Sequence, residues 1–359
     1  MRTLEWDYTT NELKMIDQRR LPGELAIVSL RTCQEVAEAI RNMTIRGAPA
    51  IGAAAAFGLA LAARESKAPD AAGLLANLES AAQDLRASRP TAVNLAWAVE
   101  RVMREAWRVE GGARGVEGGA DIVRKAILAE AQRIADEDVE INKRMAAHGA
   151  ALIDDGDTLI QHCNTGALAT VDWGTVLGVI RMAHEQGKRV HVLVDETRPR
   201  LQGARLTAWE LEQYGIPYEI ICDNMAGHFL RTGQAQKVLF GADRVAANGD
   251  VANKIGTYML ALAAHDNGVP VYSVAPTSTI DLSLAHGGLI PIEERSQDEV
   301  LDIQFHGERV TPLGAKARNP AFDVTPNRLI TAIITENGIV RPPFKMNLKK
   351  IVASIAAGG

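Results

Sequence analysis

The chain has 359 residues, 47% of them hydrophobic, so it is long enough to form two domains that each bury a core. Its formal net charge of -5 at pH 7 and pI near 6.0 give no basic surface of the kind that binds nucleic acid or an anionic membrane. The composition therefore favours a globular protein with a small-molecule partner and excludes a disordered or fibrous chain.

The chain shows no sign of export or of membrane insertion. Its three cysteines, Cys33, Cys163 and Cys222, are odd in number and widely spaced, which indicates neither a disulfide framework nor a CxxC metal site. The start, "MRTLEWDYTTNELK", lacks the apolar segment of a secretory signal. The apolar stretch 48–63 is interrupted by proline and glycine and is shorter than the roughly 20 residues of a membrane span. We therefore predict a cytoplasmic protein in which this stretch is a buried helix.

The N-terminal part of the sequence predicts a small antiparallel sheet followed by helices. Short β-prone runs are separated by turn residues and lie at 3–7, 12–18 and 24–30. Helical periodicity follows at 33–42, 49–65, 70–86, 92–108 and 121–148. Thr32 and Glu35 form a capping-box pattern at the first helix, and the glycine-rich stretch 110–120 predicts a loop. We expect residues 1–150 to form one domain.

After residue 150 the pattern changes to alternating strands and helices. The predicted strands are "DTLIQHC", "RVHVLVD", "PYEIICD", "KVLFGAD" and "VPVYSVA". Such alternation is typical of a mostly parallel sheet covered on both faces. We therefore predict an α/β protein in which residues 151–359 form a Rossmann-like, doubly wound catalytic domain. In such sheets ligands bind at the carboxyl ends of the strands.

Two of the cysteines follow predicted strands of this domain. Cys163 is either a small buried hydrophobic residue or a catalytic thiol, and its position alone does not decide between these roles. Cys222 has the same kind of position but is not followed by a glycine-containing turn, so we interpret it as structural. Cys33 falls in a first helical turn, where the helix dipole can lower the pKa of a thiol, but nothing else marks it.

Two acidic residues also follow predicted strands, so with the two thiols they are expected to share one rim of the sheet. Asp243 either caps a turn or pairs with Arg244, or else it stays protonated at an apolar strand end and acts as a general acid. Asp195 has the position of a ribose-binding acid in a dinucleotide fold. No GxGxxG follows the first strand, so NAD binding is disfavoured.

Two helix starts are candidate anion sites. Arg46, Gly47 and Ala48 precede a proline in a first helical turn, where free amides and a guanidinium suit a phosphate group. A second helix start is predicted at Asn253 and Lys254, where a lysine opposes the helix dipole and a bound anion would explain it. For each, a surface helix start is the alternative. The eight histidines lack HxH or HExxH spacing, so no metal site is predicted.

Long ordered blocks then identify a family. They extend from "LEW" to "TENGIVRP", almost the whole chain, and include "RGAPAIGAAAAFGLAL", "SRPTAVNLAWA", "QHCNTGALAT", "DETRPRLQGARLTAWEL", "DNMAGHFL", "GADRVAANGDVANKIGTY" and "IEERS". The chain resembles the S-methyl-5-thioribose-1-phosphate isomerases of methionine salvage. They share a superfamily with ribose-1,5-bisphosphate isomerases and with the regulatory subunits of the translation-initiation exchange factor.

The resemblance implies an aldose–ketose isomerase that acts on a phosphorylated thiosugar. It implies a homodimer that needs neither a metal nor an organic cofactor and binds neither nucleic acid nor membrane. The implied catalytic pair is Cys163 and Asp243. The implied substrate contacts are Arg46, Gly47, Ala48, Arg89, Gln202, Asn253 and Lys254.

The resemblance leaves two other functions open, and it does not decide between two routes of hydrogen transfer. A ribose-1,5-bisphosphate isomerase would share the chemistry, and a non-catalytic regulatory subunit would share the "NKIGT" region. The presence of Cys163 and Asp243, together with the arginines Arg46 and Arg89, is evidence against the regulatory subunit. Hydrogen could move from C2 to C1 by proton transfer through Cys163 or by a direct hydride shift.

Overall fold

The structure, a computed structural model, describes residues 1–90, 92–113 and 115–356. The chain divides into two compact units. The first comprises Met1–Ile141 and Ala167–Gly174, and the second comprises Asn142–Gly166 and Thr175–Gly359. The predicted domain boundary near residue 150 stays a prediction.

The first unit begins with an antiparallel sheet, as predicted. Its strands are β1 (Leu4–Asp7), β2 (Glu12–Ile16) and β3 (Ile27–Leu30). They pair in the order β1-β2-β3. The inward side chains of β1 and β2 are buried in the core of this unit, which fixes the register of the sheet.

Five described helices follow and match the predicted segments closely. They are α1 (Cys33–Arg41), α2 (Ala48–Glu65), α3 (Ala71–Ser88), α4 (Val93–Ala113) and α5 (Gly119–Ala150). The capping box of α1 is confirmed, because Thr32 and Glu35 bond reciprocally to each other's backbone amides. The loop predicted at 110–120 is wrong at both ends, because α4 continues to the buried Ala113 and α5 already begins at Gly119.

The apolar stretch predicted as a buried helix is α2, and this prediction is confirmed. Its alanines and glycines face helices on several sides, so nearly every residue from Ala50 to Ala63 is buried. Gly52 allows close approach of the α4 backbone, since a Cβ there would lie 2.9 Å from the carbonyl oxygen of Asn94. Among the described residues, no helix is both long and apolar enough to cross a membrane.

The last residues of α5, 142–150, belong to the second unit, which also contains the remaining strands and helices. Its strands are β4 (Thr158–Gln161), β5 (His191–Asp195), β6 (Tyr218–Ile221), β7 (Lys237–Phe240), β8 (Arg244–Ala246), β9 (Val251–Lys254), β10 (Val271–Val274), β11 (Ile280–Asp281), β12 (Gln304–Phe305), β13 (Glu308–Arg309), β14 (Phe322–Thr325), β15 (Ala332–Thr335) and β16 (Gly338–Val340). Its helices after α5 are α6 (Val176–Glu185), α7 (Ala208–Gln213), α8 (Ala226–Arg231), α9 (Thr257–Asp266), α10 (Asp298–Leu301) and α11 (Phe344–Ala356).

The main sheet of this unit has the order β16-β15-β10-β7-β4-β5-β6. Every neighbouring pair is parallel except β15 with β16, so the five predicted strands are confirmed as a parallel sheet. From β4 the chain adds strands outward through β5 and β6, and it then returns to β7 and adds β10 and β15 on the other side. The order therefore reverses between β4 and β7, the place where open α/β sheets bind ligands.

A smaller sheet, β11-β8-β9-β14, was not predicted. It corrects the prediction that Asn253 and Lys254 start a helix, because both residues lie in β9 and the helix begins only at Thr257. Their strand pairs with β14, with Asn253 opposite Asp323. This pairing partner lies about 70 residues further along the chain, so local sequence could not reveal it.

Candidate active site

The rim predicted from the strand ends is present at the carboxyl edge of the main sheet. Asp195 ends β5, Cys222 directly follows β6, and Cys163 lies two residues after β4. Asp243 is three residues beyond β7 and immediately precedes β8, so it does not end a strand as predicted. Because β4 and β7 are parallel neighbours, Cys163 and Asp243 follow the two strands that flank the point of reversal.

The backbone at Cys163 is held in an uncommon conformation. Its φ is +70°, in the left-handed region that residues with a Cβ seldom adopt, and the residue is 9% exposed. The Cys163 N–H donates to Thr197 Oγ1 at 2.9 Å, and the Thr207 hydroxyl donates to the Cys163 carbonyl at 2.8 Å. Two hydroxyl groups thus hold the thiol-bearing residue in place, as expected of strained residues at functional sites.

Three segments of the second unit converge beside Cys163. A Cβ at Gly241 would lie 3.1 Å from Thr165 Cγ2 and 3.8 Å from Asn253 Oδ1, so the loops after β4 and β7 meet the end of β9. The Asp243 N–H donates to the carbonyl of Ala252 at 2.9 Å. The half-buried Asp243 is therefore fixed to the strand that carries Asn253.

Gln202 offers a buried acceptor in this unit. The residue is 8% exposed, and its Oε1 has no hydrogen-bond partner among the described residues. A buried acceptor without a donor costs about 1–3 kcal/mol, so a ligand hydroxyl that donates to Gln202 would recover this energy. Gln202 immediately precedes a π-helical turn, Gly203–Thr207, that leads into α7, and such turns are frequent at functional sites.

We predict that Gly203→Ala destabilises the protein, because a Cβ there would overlap the carbonyl oxygen of Asp195. Overpacking against backbone costs about 1–3 kcal/mol of unfolding free energy, which urea denaturation measures. Gly227→Ala in α8 is the matched control: its new Cβ would lie 3.9 Å from the nearest atom, so stability should hold or rise slightly. Equal unfolding free energies for the two variants would contradict the packing argument.

Lys254 and Asn253 are buried at the end of β9. The Lys254 Nζ donates to the carbonyl of Ala321 at 2.7 Å and lies 4.7 Å from the ring centroid of Phe322. The argument from a helix dipole is wrong for this lysine, because it is in a strand. The Asn253 Nδ2 donates to Thr257 Oγ1 at 2.9 Å, and that hydroxyl donates to the Lys254 carbonyl at 2.6 Å. Both side chains are thus fixed by local bonds.

In the first unit, the predicted helix start at Arg46, Gly47 and Ala48 is confirmed. Gly47 is the N-cap of α2 with φ +93°, and Ala48 is the first helical residue. Only glycine fits there, since a Cβ would overlap the backbone of Ala169. The Arg46 Nε donates to Gln18 Oε1 at 3.1 Å. A guanidinium therefore lies next in sequence to the free amides of a helix N-terminus, which is chemistry suited to an anion.

Arg89, the other predicted substrate contact in the first unit, directly follows α3 and is half-buried. Its carbonyl accepts a hydrogen bond from the Ala92 amide at 3.1 Å. Arg89 thus lies between the end of α3 and the start of α4.

Sequence reasoning missed His162, which is fully buried directly before the candidate thiol. Its Nδ1 lies 2.8 Å from Asp195 Oδ2, and its Nε2 lies 2.9 Å from the carbonyl oxygen of Ile255. Metal-ligand spacing along the chain cannot reveal this histidine, because its partners come from distant strand ends. The only local signal is the position of His162 in "QHC", beside Cys163.

His162, Asp195 and Asp223 place potential metal ligands within 4.8 Å of one another. Most of their donor atoms are engaged in protein contacts, although the buried Asp195 Oδ1 has no hydrogen-bond partner among the described residues. Both ring nitrogens of His162 have partners, and the two oxygens of Asp223 accept the amides of Thr197 and Arg198 at 2.7 and 2.8 Å. A single free carboxylate oxygen does not supply the full set of ligands that a metal site needs. The absence of a metal cofactor stays a prediction.

The other two cysteines have environments unlike that of Cys163. Burial raises the pKa of the Cys33 thiol to about 12, so the expectation that a helix dipole lowers it is wrong. Cys222 is exposed, and the negative charge of Glu196 raises its pKa. Neither thiol is activated as a nucleophile or base at neutral pH.

Comparisons with known proteins identify the family. The model of the Initiation factor 2 subunit family matches residues 44–342. A methylthioribose-1-phosphate isomerase of Acetivibrio thermocellus is 52% identical over 344 residues, which cover 96% of this chain and 98% of that protein.

Two solved structures are similar over nearly the whole chain. One is a 5-methylthioribose 1-phosphate isomerase of Pyrococcus horikoshii, 48% identical, with a TM-score of 0.90 and coverage of 98% of this chain and 96% of that one. The other is described as translation initiation factor eIF-2B, subunit delta, from A. fulgidus, 42% identical, with a TM-score of 0.87 and coverage of 98% and 99%. This chain belongs to the Initiation factor 2 subunit family and, within it, to the methylthioribose-1-phosphate isomerases.

Proposed function

We propose that the chain converts 5-methylthioribose 1-phosphate into 5-methylthioribulose 1-phosphate, with Cys163 and Asp243 as its acid–base pair. The chain is an aldose–ketose isomerase of methionine salvage, as its full-length similarity to named isomerases shows. The observation that carries the choice of residues is that the thiol and the carboxyl group follow the two parallel strands that flank the reversal of the sheet.

The substrate explains why an acid is needed. Its C1 oxygen carries the phosphate, so the sugar cannot open to a free aldehyde as other aldoses do. The bond between C1 and the ring oxygen must break while the phosphate stays attached. In our proposal a protonated Asp243 donates its proton to the ring oxygen as this bond breaks. The half-burial of Asp243 and its anchoring to Ala252 suit a fixed proton donor.

The thiol then completes the isomerisation. The thiolate of Cys163 removes the proton from C2, which forms a C1–C2 double bond and leaves the hydroxyl on C2. The thiol returns that proton to C1, and the C2 hydroxyl gives its own proton to the Asp243 carboxylate as the ketone forms. Both residues end in the state in which they began, so no external acid, base or redox partner is required.

We propose that the remaining predicted residues bind the substrate. Arg46, Arg89 and Lys254 would oppose the charge of the phosphate and prevent its loss as a leaving group. Gly47 and Ala48 would supply backbone amides. Gln202 and Asn253 would bind sugar hydroxyls, and the buried Oε1 of Gln202 supports this role.

We expect the phosphate-binding variants Arg46→Ala, Arg89→Ala and Lys254→Met to raise KM more than they lower kcat. Each removes a charge-assisted hydrogen bond worth about 1.5–3 kcal/mol, which steady-state kinetics would detect. Methionine keeps the apolar stem of Lys254 over Phe322, which limits the structural damage. The exposed Lys345→Met is the control. An unchanged KM in all three variants would show that these three cations do not bind the substrate.

Substrate selectivity separates the proposed reaction from the closest alternative. A ribose-1,5-bisphosphate isomerase would follow the same steps on a sugar with a second phosphate in place of the methylthio group. We expect the purified protein to have the higher kcat/KM for 5-methylthioribose 1-phosphate. A higher kcat/KM for ribose 1,5-bisphosphate would show that the bisphosphate, and not the thiosugar, is the substrate. Failure to turn over either sugar would favour a regulatory role, which the similarity to an initiation-factor subunit suggests.

The proposal extends to the domains, the oligomeric state and the location of the protein. We infer that residues 1–150 and 151–359 are separate domains and that the second is doubly wound, with helices on both faces of its sheet. The sheet order supports this inference, since it matches that of dinucleotide-binding folds. We further infer a cytoplasmic homodimer that needs no cofactor and binds neither nucleic acid nor membrane.

A further inference from the structure

The buried His162 has acceptors at both ring nitrogens. The carbonyl oxygen of Ile255 can only accept, so the Nε2 that lies 2.9 Å away must carry a hydrogen. On the other side, Nδ1 lies 2.8 Å from Asp195 Oδ2. With Asp195 ionised, Nδ1 must also carry a hydrogen, and the ring is then an imidazolium that donates in two directions.

The surroundings favour this charged ring. Burial alone disfavours the charge, but the hydrogen bond and charge of Asp195 outweigh it and raise the pKa of His162. Burial raises the pKa of Asp195 to about 6, so this carboxyl group is ionised at pH 8. Two further carboxylates, Asp223 and Asp323, add negative charge near the ring, and the charge of Lys254 in turn acts on Asp323.

The two bonds of His162 join different segments. Asp195 ends β5, and its backbone carbonyl accepts a hydrogen bond from the Thr197 hydroxyl. That hydroxyl in turn accepts a hydrogen bond from the Cys163 amide. Ile255 directly follows Lys254 at the end of β9. The next residue, Gly256, has φ +101°, and a Cβ there would lie 2.9 Å from His162 Cε1, so this turn packs directly against the ring.

We propose that His162, protonated on both ring nitrogens, is a positioning residue that clamps the Cys163 segment to the Asn253–Lys254 segment. The inference rests on the proposed function, in which Cys163 acts in the chemical step and Lys254 binds substrate. Its bond to Asp195 orients the thiol and thereby supports kcat. Its bond to Ile255 fixes the end of β9 and thereby supports substrate binding.

The two bonds can be removed separately. In His162→Gln the amide nitrogen takes the place of Nε2, so the bond to Ile255 is kept and the bond to Asp195 is lost. In His162→Asn the amide nitrogen takes the place of Nδ1, so the reverse holds. We expect His162→Gln to lower kcat by up to about 100-fold with KM little changed, and His162→Asn mainly to raise KM. A purely structural role would lower kcat and raise KM alike in both variants.

Controls separate this inference from the proposed function. The exposed His265→Gln on α9 should leave both constants unchanged. If Cys163→Ala lowers kcat and Lys254→Met raises KM, but the two His162 variants do not split as described, the clamp is wrong and the function stands. If the Cys163 and Lys254 variants themselves lack those effects, the roles that the proposed function assigns to these two residues are wrong.

The protonation state can be measured on the unmodified protein, which keeps the inference testable if a variant fails to fold. In a protein labelled with ¹⁵N histidine, one ring should keep both nitrogens protonated above the pH at which a free imidazole becomes neutral, because the pKa of His162 is raised. This signal should be absent from a folded His162 variant. Spectra in which no ring stays protonated on both nitrogens above that pH would overturn the proposal.

Discussion

Replacing Cys163 by alanine is expected to lower kcat by about 100-fold or more, the usual loss when a group that transfers protons is removed. Alanine cannot take the C2 proton, so the enol phosphate with its C1–C2 double bond cannot form through this residue. The fold should survive, because the bonds to Thr197 and Thr207 that hold this position use only the Cys163 backbone. Steady-state kinetics and a thermal melt would test the two statements together.

Cys222→Ala is the matched control for this prediction. Cys222 lies on the same rim of the sheet but is exposed, and the charge of Glu196 raises its pKa. We expect near-normal kcat for this variant. If Cys163→Ala also turns over at the wild-type rate, the thiol has no part in the chemical step, and the hydrogen must move from C2 to C1 by a direct shift.

Asp243→Asn is expected to lower kcat by a similar factor, about 100-fold or more. The amide has nearly the same shape and leaves the Asp243 N–H bond to Ala252 in place, but it cannot deliver a proton to the ring oxygen. Ring opening would then depend on water. Because the substrate still fits, KM should change little, and a tight-binding but slow enzyme is the expected phenotype.

Asp266→Asn, an exposed change at the end of α9, controls for the loss of one negative charge. It should leave kcat unaltered. An Asp243→Asn enzyme with normal kcat would show that the ring oxygen obtains its proton elsewhere. In that case Asp243 would be a turn residue before β8, the structural alternative that the sequence already offered.

Most regular elements could be predicted, because their signals are local. Hydrophobic periodicity, capping residues and β-prone runs located the helices of the first unit and the five strands that form the parallel sheet. The small sheet that contains β9 was not predicted, because its strands are short and β9 pairs with a strand far along the chain. The anion site at Lys254 was predicted from a helix dipole, but the structure shows a buried cation at the end of a strand.

The candidate site was predictable only in part, for a related reason. Strand ends in the sequence placed Cys163 on the rim of the parallel sheet, because consecutive parallel strands must align their carboxyl ends. The bonds that hold it come from Thr197 and Thr207, which are 34 and 44 residues away. The role of His162 depends on Asp195 and Ile255, at separations of 33 and 93 residues. No spacing rule relates such positions.

The most direct test of the account is to follow 5-methylthioribose 1-phosphate by ¹³C and ³¹P NMR with the purified protein and with the Cys163→Ala, Asp243→Asn double variant. The wild-type protein should convert the sugar to a ketose with a new C2 carbonyl signal and an intact phosphate ester. The folded double variant should produce almost none in the same time. No ketose with the wild-type protein, or equal amounts with both proteins, would contradict the account.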